Sequence, residues 1–226
     1  YADKVMGWLA SAEMTVRIPH NGNDRETRLK NDLKERFLVG IVKAADDRLC
    51  NMMLPPLRDQ LAWYMTIRGW YAGRALLAKR SDGSTYVDIT PWDALHTYWS
   101  VGSDGLDWAC YRVPKTKQQI EAQYGIKLDG IMNRDENGLM VYDFYDKEMN
   151  TIIIHNGNMN RPIHRTIKKQ TSHGAGHVPV FLGPVGTTPY IVGLNQSNNE
   201  DTIADVGESV FKSNRESYVN HNMVMS

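Results

Sequence analysis

Several groups of side chains in this sequence have the types and spacings that do chemistry. His173 and His177 stand four residues apart, the spacing that on a helix sets two imidazoles side by side as metal ligands. Gly174 and Gly176 fall between them, so the segment reads as a glycine-rich loop with solvated histidines, and no metal is expected. Asp93, in "TPWDALH", and the pair Asp143 and Asp146, in "VYDFYD", are candidate acid and base groups. Asp93 equally suits the cap of a turn, while Asp143 and Asp146 straddle the two faces of a strand and its end. Arg161, His164, Arg165, Lys168 and Lys169 form the best local basic cluster and could follow a phosphate backbone without reading sequence. Lysines at such spacing also protect an exposed strand edge.

None of these groups sits in a recognised catalytic setting. The chain holds no G-x-x-x-x-G-K-[ST] loop to wrap nucleotide phosphates, no G-x-S-x-G elbow and no H-E-x-x-H pair. No catalytic residue and no cofactor is expected. The 26 basic and 26 acidic side chains cancel, so any contact with nucleic acid is regional rather than a property of the whole surface. Cys50 and Cys110, each in an apolar or aromatic context, read as buried free thiols of an intracellular protein. No apolar run approaches the ~20 residues of a membrane span and no signal peptide opens the chain, which predicts a protein soluble or assembled in the cytoplasm. The first residue is Tyr1 and the last helical pattern is still running at Ser226, so the chain reads as a piece of a longer protein.

The elements that must position these groups follow from periodicity. Residues 1–22 form an N-terminal segment broken by Ile18-Pro19-His20-Asn21-Gly22. Asn23 with Glu26 looks like a capping pair, and Leu29, Leu33, Phe37, Ile41, Ala44, Ala45, Leu49 and Met52 predict one long amphipathic helix over about 24–52. After Pro55-Pro56 a second, aromatic helix runs through Leu57, Leu61, Trp63, Tyr64, Ile67 and Trp70 to Gly69 and Gly73, closing a helical part at 23–74. The period then changes to that of strands. "RALLAKRSDGSTYVDIT" predicts a hairpin about Asp82-Gly83, and "HTYWSVGSDGLDWACYRV" another about Asp104-Gly105. "GLMVYDFYD", "TIIIHNG", "PIHRTIKK" and "VPVFL" supply further strands. A short helix at 116–124 lies among them, capped by Thr116. The span 75–198 is therefore β-rich, and 199–226 returns to helix with Ile203, Val206, Val210, Phe211 and Tyr218 on one stripe. The fold class is α+β: long amphipathic helices packed on a small antiparallel β-barrel or sheet of six to eight strands, ending in a helix.

The order of these pieces carries a likeness. "ERFLVGIVKAADDRL", "LRDQLAWYMTIRGWYAGRALL", "DITPWDALHTYWSVGSDGLDWACYR", the "TKQQIEAQYG" helix, "GHVPVFLGPVG" and "ADVGESVFKSNRESYVNHNMVMS" succeed one another over nearly the whole chain. In this succession the chain resembles the portal proteins of tailed bacteriophages, the head-to-tail connectors. The resemblance implies a homo-oligomeric ring, a dodecamer, at one vertex of the capsid. Through such a ring a terminase motor drives double-stranded DNA into the virion and the genome later leaves, and on it the neck and tail assemble. It implies the wing region of that protein, found in the host cytoplasm during assembly and then in the virion, with no membrane contact. Residues 199–226 would lead toward the stem, which makes Lys212 and Arg215, together with Arg165, Lys168 and Lys169, the candidate DNA-facing side chains. Trp70, Tyr71, Trp99 and Trp108 are the candidate anchors between subunits. "VPVFL" then reads as a strand and "GPVGTTPY" as a rigid exit rather than a ligand cradle. Two other readings stay open: another virion part, such as a neck adaptor or baseplate component, and a hydrolase using Asp93 or Asp143 with a histidine.

Overall fold

The computed structural model describes residues 2–12, 15–19, 24–79, 82–128, 139–155, 164–185, 207, 209 and 210. Of the predicted C-terminal helix only Gly207, Ser209 and Val210 are among the described residues, and none of the three is helical; Lys212 and Arg215 lie outside the described residues, as does Arg161. The N-terminal segment contains a helix, α1 (Ala2–Ser11). The long helix α2 (Arg25–Asn51) falls where its periodicity places it. Its cap is Asp24 rather than Asn23. The Asp24 carboxylate accepts the backbone N–H of Glu26 and of Thr27, which puts a negative charge at the positive end of the helix dipole.

The second helix, α3 (Leu57–Arg68), is shorter than its aromatic pattern predicts. Gly69 ends it in the left-handed region at φ 69°, a conformation open to glycine at little cost. Trp70 and Tyr71 therefore belong to a strand, β1 (Trp70–Lys79), and residue 74 falls inside that strand rather than at its start. β1 turns at Asp82-Gly83 into β2 (Thr85–Trp92), with Gly83 at φ 85°. A single 3-10 turn, Ala94–His96, leads to β3 (Thr97–Gly102) and, through Asp104-Gly105, to β4 (Gly105–Lys115). Helix α4 (Lys117–Tyr124) follows under a full capping box, in which Thr116 and Gln119 each bond the other's backbone N–H. The remaining strands are β5 (Leu139–Asp146), β6 (Met149–His155), β7 (His164–Ser172) and β8 (Val180–Pro184).

The strands make two open antiparallel sheets and not a closed barrel. One has the order β2-β1-β8 and the other runs β3-β4-β5-β6-β7. The chain leaves the first sheet at Trp92, where Asp93 caps the 3-10 turn, and β3 pairs only with β4. β8 returns across more than a hundred residues to pair with β1. Two glycines make that pairing close: Phe181 lies over Gly73, where a Cβ would stand 2.4 Å from the ring, and Tyr71 lies over Gly183. The register explains both, since Gly73 faces Phe181 and Tyr71 faces Gly183.

Three apolar clusters hold the body together. Trp70, Ala72, Trp92, Trp99, Ala109, Tyr145, Val178 and Val180 fill the space between the sheets. Ile120 of α4 and Leu128 pack on Leu139, Val141, Ile152 and Ile154 of the larger sheet. Ala45 and Leu49 of α2 pack on Leu57 of α3, beside Ile89 of β2. Near the C-terminus, the Val210 N–H donates to the Thr66 carbonyl at 3.0 Å, and Gly207 lies against the Trp70 indole. Among the described residues no helix is long and apolar enough to cross a membrane.

Candidate functional site

A chain of alternating charges crosses the junction of the two sheets. Arg48 of α2 reaches Asp88 of β2 at 2.6 Å and also donates to the Ile89 carbonyl and to the Thr90 hydroxyl. Asp88 pairs in turn with Arg74 of β1. Arg74 extends to the larger sheet, where it donates to the Tyr145 hydroxyl at 2.9 Å and faces Asp143 at 3.4 Å. Tyr145 donates to Asp143 as well, and Asn150 of β6 donates to the other Asp143 oxygen at 2.7 Å.

Local sequence places these groups. Leu139, Val141, Asp143 and Tyr145 alternate onto one face of β5, so Asp143 is an acid set between two apolar clusters. Burial raises the Asp143 carboxyl above its ordinary range, and Arg74, Asn150, Tyr145 and Lys168 pull it back toward ionisation. Burial alone would weaken the charge on Arg74, but Tyr145, Asp88 and Asp143 hold it firmly protonated. Two guanidinium groups and two carboxylates alternate along the junction, with the Lys168 ammonium acting on Asp143 as well. It can fix the angle between α2 and the two sheets.

The other candidate acids are also occupied. One Asp93 oxygen accepts the Leu95 N–H at 3.0 Å and the other takes the Arg68 guanidinium at 2.9 Å, so Asp93 caps its turn and ties it to the end of α3. Asp146 accepts the N–H groups of Glu148 and Met149 in the β5–β6 turn. The geometry does not bring Asp93, Asp143 and Asp146 together. His173 differs from the solvated loop residue expected: it is half-buried, accepts the Ala175 N–H at Nδ1 and so gives its Nε2 proton to the Asp146 carbonyl at 3.0 Å. His177 is exposed. Among the described residues no three His, Cys, Asp or Glu side chains are grouped as metal ligands. Cys110 is buried, its thiol pushed up to about 12 by burial and by Asp143, whereas Cys50 is exposed, contrary to the expectation for both.

Of the basic cluster, Arg165 is exposed and donates to the Lys127 carbonyl, while Lys168 is half-buried and acts on Asp143. Their strand, β7, is an edge of the larger sheet, as the edge-protecting reading requires. The side chains of His164 and Lys169 lie outside the described residues. Of the four aromatic residues expected as exposed anchors, Trp70 and Trp99 are instead in the core, their rings 5.4 Å apart, while Tyr71 and Trp108 are half-buried, Trp108 stacked on Phe144.

The exposed apolar groups are on the helices. Leu29, Leu33 and Phe37 of α2 are 56 %, 66 % and 64 % exposed, and Trp8 of α1 is 70 % exposed. The stripe that predicted one buried face drifts around the helix. Residues four apart advance 40° beyond a full turn. From Leu29 to Leu49 the i+4 series therefore rotates by about 200°. Ala45 and Leu49 end on the packed side, Leu29 and Leu33 on the opposite one, and Phe37 on the flank between them, about 80° from Ala45. α2 thus has an inner apolar face and an outer one. The sequence signal for the second face was this drift, and the signal for the ion-pair junction was the hairpin register, which sets Arg74 diagonal to Asp88.

In comparisons with known proteins the chain matches no protein-family model and no curated sequence. The class that the fold defines is a mixed α+β body with antiparallel sheets and a long helix bearing an outward apolar face.

Proposed function

We propose that this chain is the wing region of a bacteriophage portal protein, a structural subunit of the ring through which DNA is packaged and ejected. The observation that carries the reading is the outer face of α2. Three large apolar side chains on one helix face, each more than half exposed, make a patch of the kind that marks an association surface. The order of sequence motifs that resembles portal proteins supplies the kind of assembly. In this reading DNA slides past without sequence-specific contacts, the motor's hydrolysis belongs to a separate terminase, and the chain itself is not an enzyme. By the resemblance, Lys212 and Arg215 are the side chains whose neutralisation should change DNA packaging.

Electron-microscope class averages of the purified chain, with any natural C-terminal continuation, test this. Rings of about twelve-fold symmetry with an open centre wide enough for a DNA duplex are expected, because a contact between two different patches can close only by rotation. Monomers or open filaments from the continued chain would refute it.

A further inference from the structure

The outer face of α2 has a counterpart on the same chain. Between α1 and α3 lies a groove of about 540 Å³, lined by Met6, Gly7, Ala10, Pro55, Trp63 and Tyr64. Trp63 is 40 % exposed at its wall. Gly7 and Ala10 keep the α1 side low, and no atom comes within 4 Å of a Cβ placed on Gly7. The groove is mostly apolar, with Asp59 and Gln60 its polar members, and its volume falls in the range that accepts a few large side chains.

We infer that the ridge of Leu29, Leu33 and Phe37 on α2 docks into the α1–α3 groove of a second copy of this chain. The dimensions agree: residues at i, i+4 and i+8 run about 12 Å along a helix, the usual set of anchors for a helix in a groove. The charges agree as well. Arg36 flanks the ridge and Asp59 stands at the groove, while Lys30 on the other flank is paired with Glu26 of its own helix. The ridge remains exposed within its own chain, so its own groove does not cover it. The area agrees in order of magnitude. Exposed Leu, Phe and Trp side chains hiding on the order of 100 Å² each give about 400 Å² of apolar contact from the ridge and Trp63. That is the apolar centre, about a third of the ~1,200 Å² total of a small specific interface, and the surrounding polar rim supplies the rest. Ridge and groove are different patches, so the contact is heterologous and propagates from copy to copy. The inference rests on the portal reading only for the closing of that series into a ring.

Mixed chains that each carry one exposed cysteine, beside the buried Cys110, test it. In a Cys50→Ser background, one chain carries Arg36→Cys beside the ridge and the other Asp59→Cys at the groove, and a short bis-maleimide joins neighbouring thiols. Cross-linked pairs are expected in the mixture and not from either variant alone. Adding Phe37→Asp to the ridge chain should lower the yield roughly tenfold or more, as loss of a central anchor does, and Phe37→Ser should lower it as well. Self-linking of the Arg36→Cys chain alone would mean ridge on ridge and would overturn the inference. So would rings that persist with Phe37→Asp and without cross-links, in which case the portal reading stands. Cross-linked pairs that assemble only into open chains would support the docking and overturn the ring. Monomers without cross-links overturn the docking.

Discussion

Replacing Arg74 with Met removes the one side chain that reaches from the smaller sheet to both Asp88 and Asp143. Asp88 keeps Arg48, but Asp143 is left with only the neutral donors Tyr145 and Asn150 in contact. Arg74 and Asp143 are 18 % and 15 % exposed, so solvent screens them little, and stranding a buried charge typically costs about 3 to 5 kcal/mol. The sign with pH follows from Asp143. Its carboxyl already titrates above the unfolded value because of burial, and Arg74 is the leading counterweight. A group raised on folding contributes its stability fully below the unfolded pKa and loses it as pH rises through the folded one. Removing Arg74 raises Asp143 further, so the penalty of Arg74→Met should be smallest in acid and grow toward neutral pH. Urea unfolding followed by tryptophan fluorescence at about pH 5.5 and about pH 7.5 reads both terms. The double variant with Asp143→Asn should recover part of the loss, with a coupling between about 0.5 and 3 kcal/mol. A loss under about 1 kcal/mol, additive with Asp143→Asn and flat with pH, is what an exposed pair gives. That result would refute the junction as the tie between the sheets.

Gly207→Ala would place a Cβ 2.0 Å from the Trp70 indole nitrogen and 2.7 Å from the Gly69 carbonyl, so a loss of about 1 to 3 kcal/mol in urea unfolding is expected. Gly40→Ala, in the open on α2, should instead gain up to about 1 kcal/mol. Thr116→Ala breaks the capping box of α4 and should cost about 1 kcal/mol by the same measurement. Maleimide labelling followed by mass spectrometry should modify Cys50 quickly in the native chain and Cys110 only in denaturant, since the buried thiol is held in its neutral form. Equal native labelling of both would contradict the burial of Cys110.

What was legible in the sequence is what short-range chemistry decides. The two Asp-Gly turns, the Thr116 cap and the existence of α2 depend on residues within a few positions of one another, and each stands where it was expected. The α+β class followed from them. The end of α3 was missed because Trp70 continues a helical spacing, while the decision belongs to Gly69 in the left-handed region. Of the two forms expected, barrel or sheet, the sequence did not decide between them for a different reason. Closure depends on pairings between strands far apart in sequence, and β8 spends its hydrogen bonds on β1. The buried Arg74–Asp143 pair joins strands of different sheets, a contact that alternation along β5 hints at but does not assign. The exposed ridge was misread as part of a single stripe because an i+4 series looks constant in the sequence and rotates in space.

The two features that the fold adds to the sequence, the charged junction and the outward ridge, are mechanically linked through Arg48. α2 is 27 residues long, about 40 Å; in its N-terminal half Asn31 is buried and Glu35 accepts the Ile18 N–H, and its apolar contacts lie toward its C-terminal end, where Ala45 and Leu49 meet α3. There Asp46 accepts the Leu57 N–H at 2.7 Å, and Arg48 holds Asp88, Ile89 and Thr90 of β2. The ridge lies in the other half, so a small change of angle at Arg48 becomes a large displacement at Leu29. In the proposed ring, a heterologous contact that must close would be sensitive to that angle, whereas the stability of the body is less so. Arg48→Met should therefore cost about 1.5 to 3 kcal/mol, the range for hydrogen bonds to a charged group, and leave a folded chain. In class averages the same variant should give a broader spread of ring sizes or open arcs. Native rings of unchanged symmetry from a measurably destabilised Arg48→Met chain would show that the angle of α2 is set elsewhere, and would separate the junction from assembly.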